Sequence, residues 1–246
     1  MKYLVTFFLA LIFFINIGCR GTKQSQSFLT PLQYDHAVEL VIQYVLTTEY
    51  YEKEEDVRFI YEPDNTTWLF YGVPSDPYFL EEHGLLNRNY YAFFLLGKNA
   101  GDRGDDLFVF VDKDKSQIIG VKNGWSFENV EYRYRPKSNI ESQDFCYDKA
   151  VQVLKQYVLD LGFYESQDDI RFIYEPSNGY WNRRIISRPE LPELCGLKNK
   201  DYYAFNILSR IANSENYNEY IFVDKDEKKV IGMLYEDGRF AGNTFK

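Results

Sequence analysis

The chain repeats itself, and that fact limits its possible folds more than any other. Displaced by 113 positions, residues 34–68 fall on residues 147–181, and nineteen of these 35 pairs are identical. The densest block sets Arg58-Phe59-Ile60-Tyr61-Glu62-Pro63 on Arg171-Phe172-Ile173-Tyr174-Glu175-Pro176, and Trp68 then meets Trp181. After one deletion the displacement becomes 112. Tyr90-Tyr91-Ala92-Phe93 then meets Tyr202-Tyr203-Ala204-Phe205, and Phe110-Val111-Asp112-Lys113-Asp114 meets Phe222-Val223-Asp224-Lys225-Asp226. A tandem duplication builds one supersecondary unit twice. We place the first copy at residues 31–132, a polar linker containing Pro136 at 133–142, and the second copy at 143–246.

Each copy opens with a helical pattern. Tyr147, Ala150, Val151, Leu154, Tyr157, Val158 and Leu161 recur at i, i+3, i+4 and i+7, and Gly162 suits the C-terminal cap. Tyr34, Ala37, Val38, Val41, Tyr44 and Val45 form the same stripe in the first copy. Asp35 and Asp148 sit where a carboxylate meets free backbone amides at a helix start. Strand-like runs follow at 57–61, 68–71, 90–96, 107–111 and 117–121, and again at 170–174, 181–186, 202–208, 220–223 and 230–234. The last two runs of each copy flank Asp-Lys-Asp and predict a hairpin. The expectation is therefore α+β: two tandem repeats, each with one N-terminal helix packed on its own antiparallel sheet of four to five strands.

The first eighteen residues join Lys2 to an apolar run from Tyr3 to Ile15, followed by Gly18 and Cys19. This is the pattern of a secretory signal, shorter than the roughly 20 residues of a comfortable membrane span. A small residue before cysteine resembles the lipobox of bacterial lipoproteins, with Asn16 where that family carries leucine. The resemblance implies acylation of Cys19 after loss of residues 1–18, and Arg20 at the next position implies outer-membrane sorting in a cell that has one. Residues 19–30 then read as a tether. The order of helix and strands, ending in Val-Asp-Lys-Asp, resembles cystatin-like domains, PepSY-like domains and some toxin-immunity proteins.

Charge and composition exclude several functions. With 28 Lys plus Arg against 37 Asp plus Glu and no basic run, nothing is offered to nucleic-acid phosphates. The two histidines, His36 and His83, have no cluster of metal-ligand spacing around them. Asp112, Asp114, Asp224 and Asp226 lack the further ligands of a calcium loop and fit polar turns. No nucleophile elbow, paired-carboxylate motif or phosphate-cradling glycine loop is present, so we expect neither catalysis nor a cofactor.

Cys146 and Cys195 remain once Cys19 is set aside. Both fall in the second copy alone, which in an oxidising compartment points to a disulfide between them. Arg58 and Glu62, like Arg171 and Glu175, point to one strand face, with Val57, Phe59 and Tyr61 on the other. They form either a solvated cross-strand ion pair or, with Trp68 and Trp181, a ligand-facing surface. Tyrosines in polar stretches, among them Tyr50, Tyr51, Tyr78, Tyr164 and Tyr180, suit protein interfaces or sugar stacking. The Pro-containing loops 72–85 and 187–197 differ most between the copies and are the natural place for specificity. The expectation is a lipid-anchored, non-catalytic envelope protein that binds another protein as an inhibitor or immunity factor. The alternatives are an envelope glycan as ligand, or a spacer role.

Overall fold

The computed structural model describes residues 33–48, 50–72, 77–97, 107–124, 126–133, 146–208, 219–235 and 237–242. The leader, Cys19, the tether and the linker beyond Arg133 lie outside these residues. Helix α1 (Tyr34–Thr47) is followed by β1 (Phe59–Tyr61), a π-helical turn at Trp68–Gly72, and α2 (Pro77–Glu82). Strands β2 (Tyr90–Leu95), β3 (Leu107–Asp112), β4 (Gln117–Asn123) and β5 (Ser126–Arg133) complete the first copy. The second copy runs α3 (Tyr147–Asp160), β6 (Phe172–Tyr174), α4 (Gly179–Ser187), α5 (Leu191–Leu194), β7 (Tyr202–Ile207), β8 (Glu219–Asp224), β9 (Lys229–Leu234) and β10 (Phe240–Gly242).

The strands do not form one sheet per copy. They form a single ten-stranded antiparallel sheet in the order β10-β9-β8-β7-β6-β1-β2-β3-β4-β5, which overturns the expectation of two tandem helix-on-sheet repeats. The copies meet at β1 and β6, with Phe59 opposite Tyr174, Ile60 opposite Ile173 and Tyr61 opposite Phe172. Ile60 thus pairs with its own repeat equivalent, and the seam has an approximate two-fold axis through that pair. The physical reason lies in strand edges. Each copy on its own would expose the outer edge of a short, apolar strand, and antiparallel pairing satisfies both rows of backbone groups at once.

One face of this sheet carries α1 and α3 over a single core that runs across both copies. It contains Val41, Val45, Phe59, Phe93 and Val109 from the first copy and Leu154, Val158, Phe172, Phe205 and Ile221 from the second. The rings of Phe59 and Tyr174 stack across the seam at 4.5 Å, as do those of Tyr61 and Phe172. The opposite face has two smaller cores. Trp68, Leu85, Ala92, Phe108 and Phe110 pack in the first copy, and Trp181, Leu191, Leu197, Ala204 and Phe222 pack in the second.

The segments 68–71 and 181–186, read from sequence as strands, are helical. Bulky apolar residues favour strands locally, but here Trp68 and Trp181 are buried in the core while Leu69, Phe70 and Ile186 turn outward. Asn65 and Asn178 start the change at left-handed φ values of 58° and 55°. Each asparagine bonds the next strand through its side chain. Asn65 donates to the carbonyl of Tyr90 and accepts from the amide of Ala92, and Asn178 does the same with Tyr202 and Ala204. The polar turns behave as read from sequence. Asp112 Oδ1 accepts from the amides of Asp114 and Lys115, and Asp224 Oδ1 from those of Asp226 and Glu227. Sequence reading missed the edge strands β5 and β10. Phe127 and Phe240, at or next to their first residues, fold their rings over Gly120 and Gly232, where an added Cβ would lie 2.2 Å from ring carbon.

Candidate functional site

Arg58, Glu62, Arg171 and Glu175 come together at the centre of the face opposite α1 and α3, on either side of Ile60 and Ile173. Antiparallel pairing about that centre sets each arginine opposite the glutamate of the other copy. Arg171 Nε lies 3.1 Å from Glu62 Oε2, and Arg58 Nε lies 2.6 Å from Glu175 Oε1. All four are buried, as are Trp68 and Trp181. The ion pairs are cross-strand, as one reading from sequence had it, but buried rather than solvated, and all six side chains are enclosed within the protein.

Each carboxylate also sits at the start of a helical segment and accepts its free amide. The Thr67 amide reaches Glu62 at 3.0 Å, and the Tyr180 amide reaches Glu175 at 2.8 Å. A helix start favours an anion, and here the anion is built into the sheet. Tyrosines hold the seam from both sides. Tyr51 donates to the carbonyl of Arg58 and Tyr164 to that of Arg171, so these two loop tyrosines are core residues. Two further tyrosines act as acceptors from the helices: the Tyr34 hydroxyl on α1 accepts the amide of Glu62, as that of Tyr147 on α3 accepts the amide of Glu175.

The two halves of the cluster differ at one position. Thr67 Oγ1 donates to Glu62 and accepts from Arg171 Nη2. Its equivalent is Tyr180, whose ring lies 4.7 Å from the Arg58 guanidinium and offers no acceptor in that place. Among the described residues Arg58 Nη1 has the carbonyl of Gly97, while Nη2 is buried without a hydrogen-bond partner.

Burial pushes the Glu62 carboxyl up to about 6, against the opposing pull of the Arg171 charge and the bonds from Thr67. Glu175 is raised in the same direction, again chiefly by burial. A carboxyl raised in the folded state stabilises below its unfolded value of about 4.5, and that contribution is lost as pH rises through about 6. The stability of the protein relative to Glu62→Gln should therefore fall by about 2 kcal/mol from pH 4 to pH 7. Urea titrations of both proteins across that range test this; a difference that grows with pH contradicts it.

A third inter-copy pair lies on the helical face. Lys155 of α3, buried at the position equivalent to Ile42, bonds Asp35 of α1 at 3.2 Å and Tyr61 Oη at 3.0 Å. The equivalent aspartate, Asp148, accepts from Tyr174.

The expected disulfide is not formed. Cys146 and Cys195 are free, the first exposed at the start of α3 and the second buried in the core beneath α4 and α5. The sheet separates them. His36 is exposed and His83 stacks on Phe127 at 4.4 Å. Among the described residues no three His, Cys, Asp or Glu side chains group as metal ligands, and no helix is long and apolar enough to cross a membrane.

Two surface features remain. A cleft of about 450 Å³ beside α3 is lined by Gln152, Gln156, Tyr157 and Asp160 together with Lys228 and Lys229. Among the described residues the exposed large apolar side chains are Leu69, Phe70, Tyr78, Leu86, Ile186 and Leu194. All six lie in or beside the helical segments on the face opposite α1 and α3. No protein-family model, curated protein or solved structure matches the chain.

Proposed function

We propose that this is an exported, lipid-anchored protein of the cell envelope that binds another protein and performs no catalysis, as an inhibitor or immunity factor does. The observation that carries the reading is the concentration of exposed apolar side chains on two segments of one sheet face. Tyr78 and Leu194 lie in the loops 72–85 and 187–197, where the copies differ most, and Leu69, Phe70, Leu86 and Ile186 flank those loops, so the scaffold is shared while the presented surface is not. Contiguous apolar surface on a folded protein marks an interaction site. The seam supplies rigidity rather than contact, since its charges are turned inward on each other.

The test is crosslinked capture from native envelopes with residues 24–246, which keep every described residue, followed by mass spectrometry. One partner should be retained in stoichiometric amount, and Leu69→Glu or Ile186→Glu should abolish its capture while Tyr157→Ala leaves it intact. Capture indifferent to both glutamate substitutions counts against the reading. The cleft beside α3 favours a second one, an envelope glycan, because Tyr157 offers a stacking face beside two glutamine amides and a carboxylate. That reading requires polysaccharide binding that is lost in Tyr157→Ala and survives high salt.

A further inference from the structure

The two presented segments are related by the approximate two-fold axis of the seam, yet they carry opposite charge. Residues 66–87 contain three carboxylates and no Lys or Arg; the equivalent residues 179–199 contain Arg183, Arg184, Arg188 and Lys198 against Glu190 and Glu193. Local bridges remove part of the second set, since Arg188 meets Glu190 at 3.0 Å and Lys198 meets Glu193 at 3.4 Å. Arg184 is drawn over the ring of Tyr220. What faces outward is Arg183 beside Ile186 on α4, and Glu81 and Glu82 beside Tyr78 on α2, all exposed.

We propose that in the partner-free protein this face is covered by a second copy of the chain. Turn one molecule over onto another about a two-fold axis lying in the plane of the interface and perpendicular to the line that joins its two segments. The segment on one side of the seam then meets the segment from the other side of the seam in its neighbour. Acidic α2 of each molecule faces basic α4 of the other, twice over, and the exposed apolar side chains are enclosed between them. Such an interface is isologous, so both contacts form or neither does. Like charges brought together in the same geometry are strongly unfavourable. Only an arrangement in which the copies differ in sign is self-complementary in this way. A pair of identical acidic lobes would repel. This inference goes beyond the proposed function and stands or falls separately, because it concerns the protein alone in solution.

The experiment is sedimentation velocity on residues 24–246 over the micromolar range. The unaltered protein is expected to dimerise. Arg183→Glu with Arg188→Glu makes both segments acidic, and Glu81→Arg with Glu82→Arg makes both basic. Each variant alone should associate roughly a hundredfold more weakly, while an equimolar mixture of the two should recover a dimer containing one of each. These four positions are exposed, and an unchanged circular dichroism spectrum confirms folding. A monomer at all concentrations, charge variants that still dimerise, or a mixture that stays monomeric overturns the proposal.

Discussion

Arg171→Ala should lower folding stability by about 3–5 kcal/mol, the usual cost of leaving one half of a buried ion pair uncompensated. Glu62 would keep its bonds to Thr67 but lose the Arg171 cation, in a place that water does not reach. Thr67 would lose the donor to its hydroxyl as well. Replacing both charges by apolar residues, Arg171→Met with Glu62→Leu, should return most of the loss, because no charge is then left buried alone. Arg58→Ala should cost less than Arg171→Ala. It removes a buried nitrogen that has no hydrogen-bond partner among the described residues along with the charge, and so relieves one penalty while creating another. Urea unfolding of the four proteins at pH 7 decides this; equal losses for Arg58→Ala and Arg171→Ala would show that the Thr67 and Tyr180 difference has no energetic weight.

Phe59→Ala should have a comparable effect, about 3–5 kcal/mol for a fully buried ring. Its reach matters more than its size. Phe59 stacks on Tyr174 of the second copy and packs edge-on against Phe93 of the first, and the core beneath it is continuous across both. The loss should therefore appear as one cooperative transition, with slow-exchanging amides in β3 and β8 losing protection together. Protection lost in β3 while β8 stays unchanged would mean that the halves unfold independently, and the continuous core would then not couple them.

The repeat made much of the local structure legible from sequence. Helices α1 and α3, the two hairpins around Asp-Lys-Asp, and strands β2 and β7 follow from apolar spacing and turn chemistry, which are local. Two kinds of information were not local. Trp68 and Trp181 read as strand residues because a short apolar run has no period long enough to separate strand from helix. What decides the matter is a pair of asparagines that leave the strand and a glutamate that holds a helix start. The joining of the sheets depends on contacts about 113 residues apart, yet a signal for it was present. Arg-Phe-Ile-Tyr-Glu is complementary in charge about its own centre, so antiparallel pairing with a second copy of itself places Arg opposite Glu at both ends. Reading each pair within a single strand hid this, and with it the burial of the candidate site.

The seam has a consequence for how the two halves are free to change. Two identical edges meeting about a dyad is the geometry of a dimer of half-length chains, and there every substitution would be made twice. With both halves in one polypeptide, a residue is altered on one side only. Lys155 opposite Asp35 needs no second lysine at Ile42, and Tyr180 takes the place of a threonine without disturbing Thr67. Covalent joining thus lets the seam depart from symmetry one residue at a time while the outer surfaces drift apart, one acidic and one basic, on a single sheet.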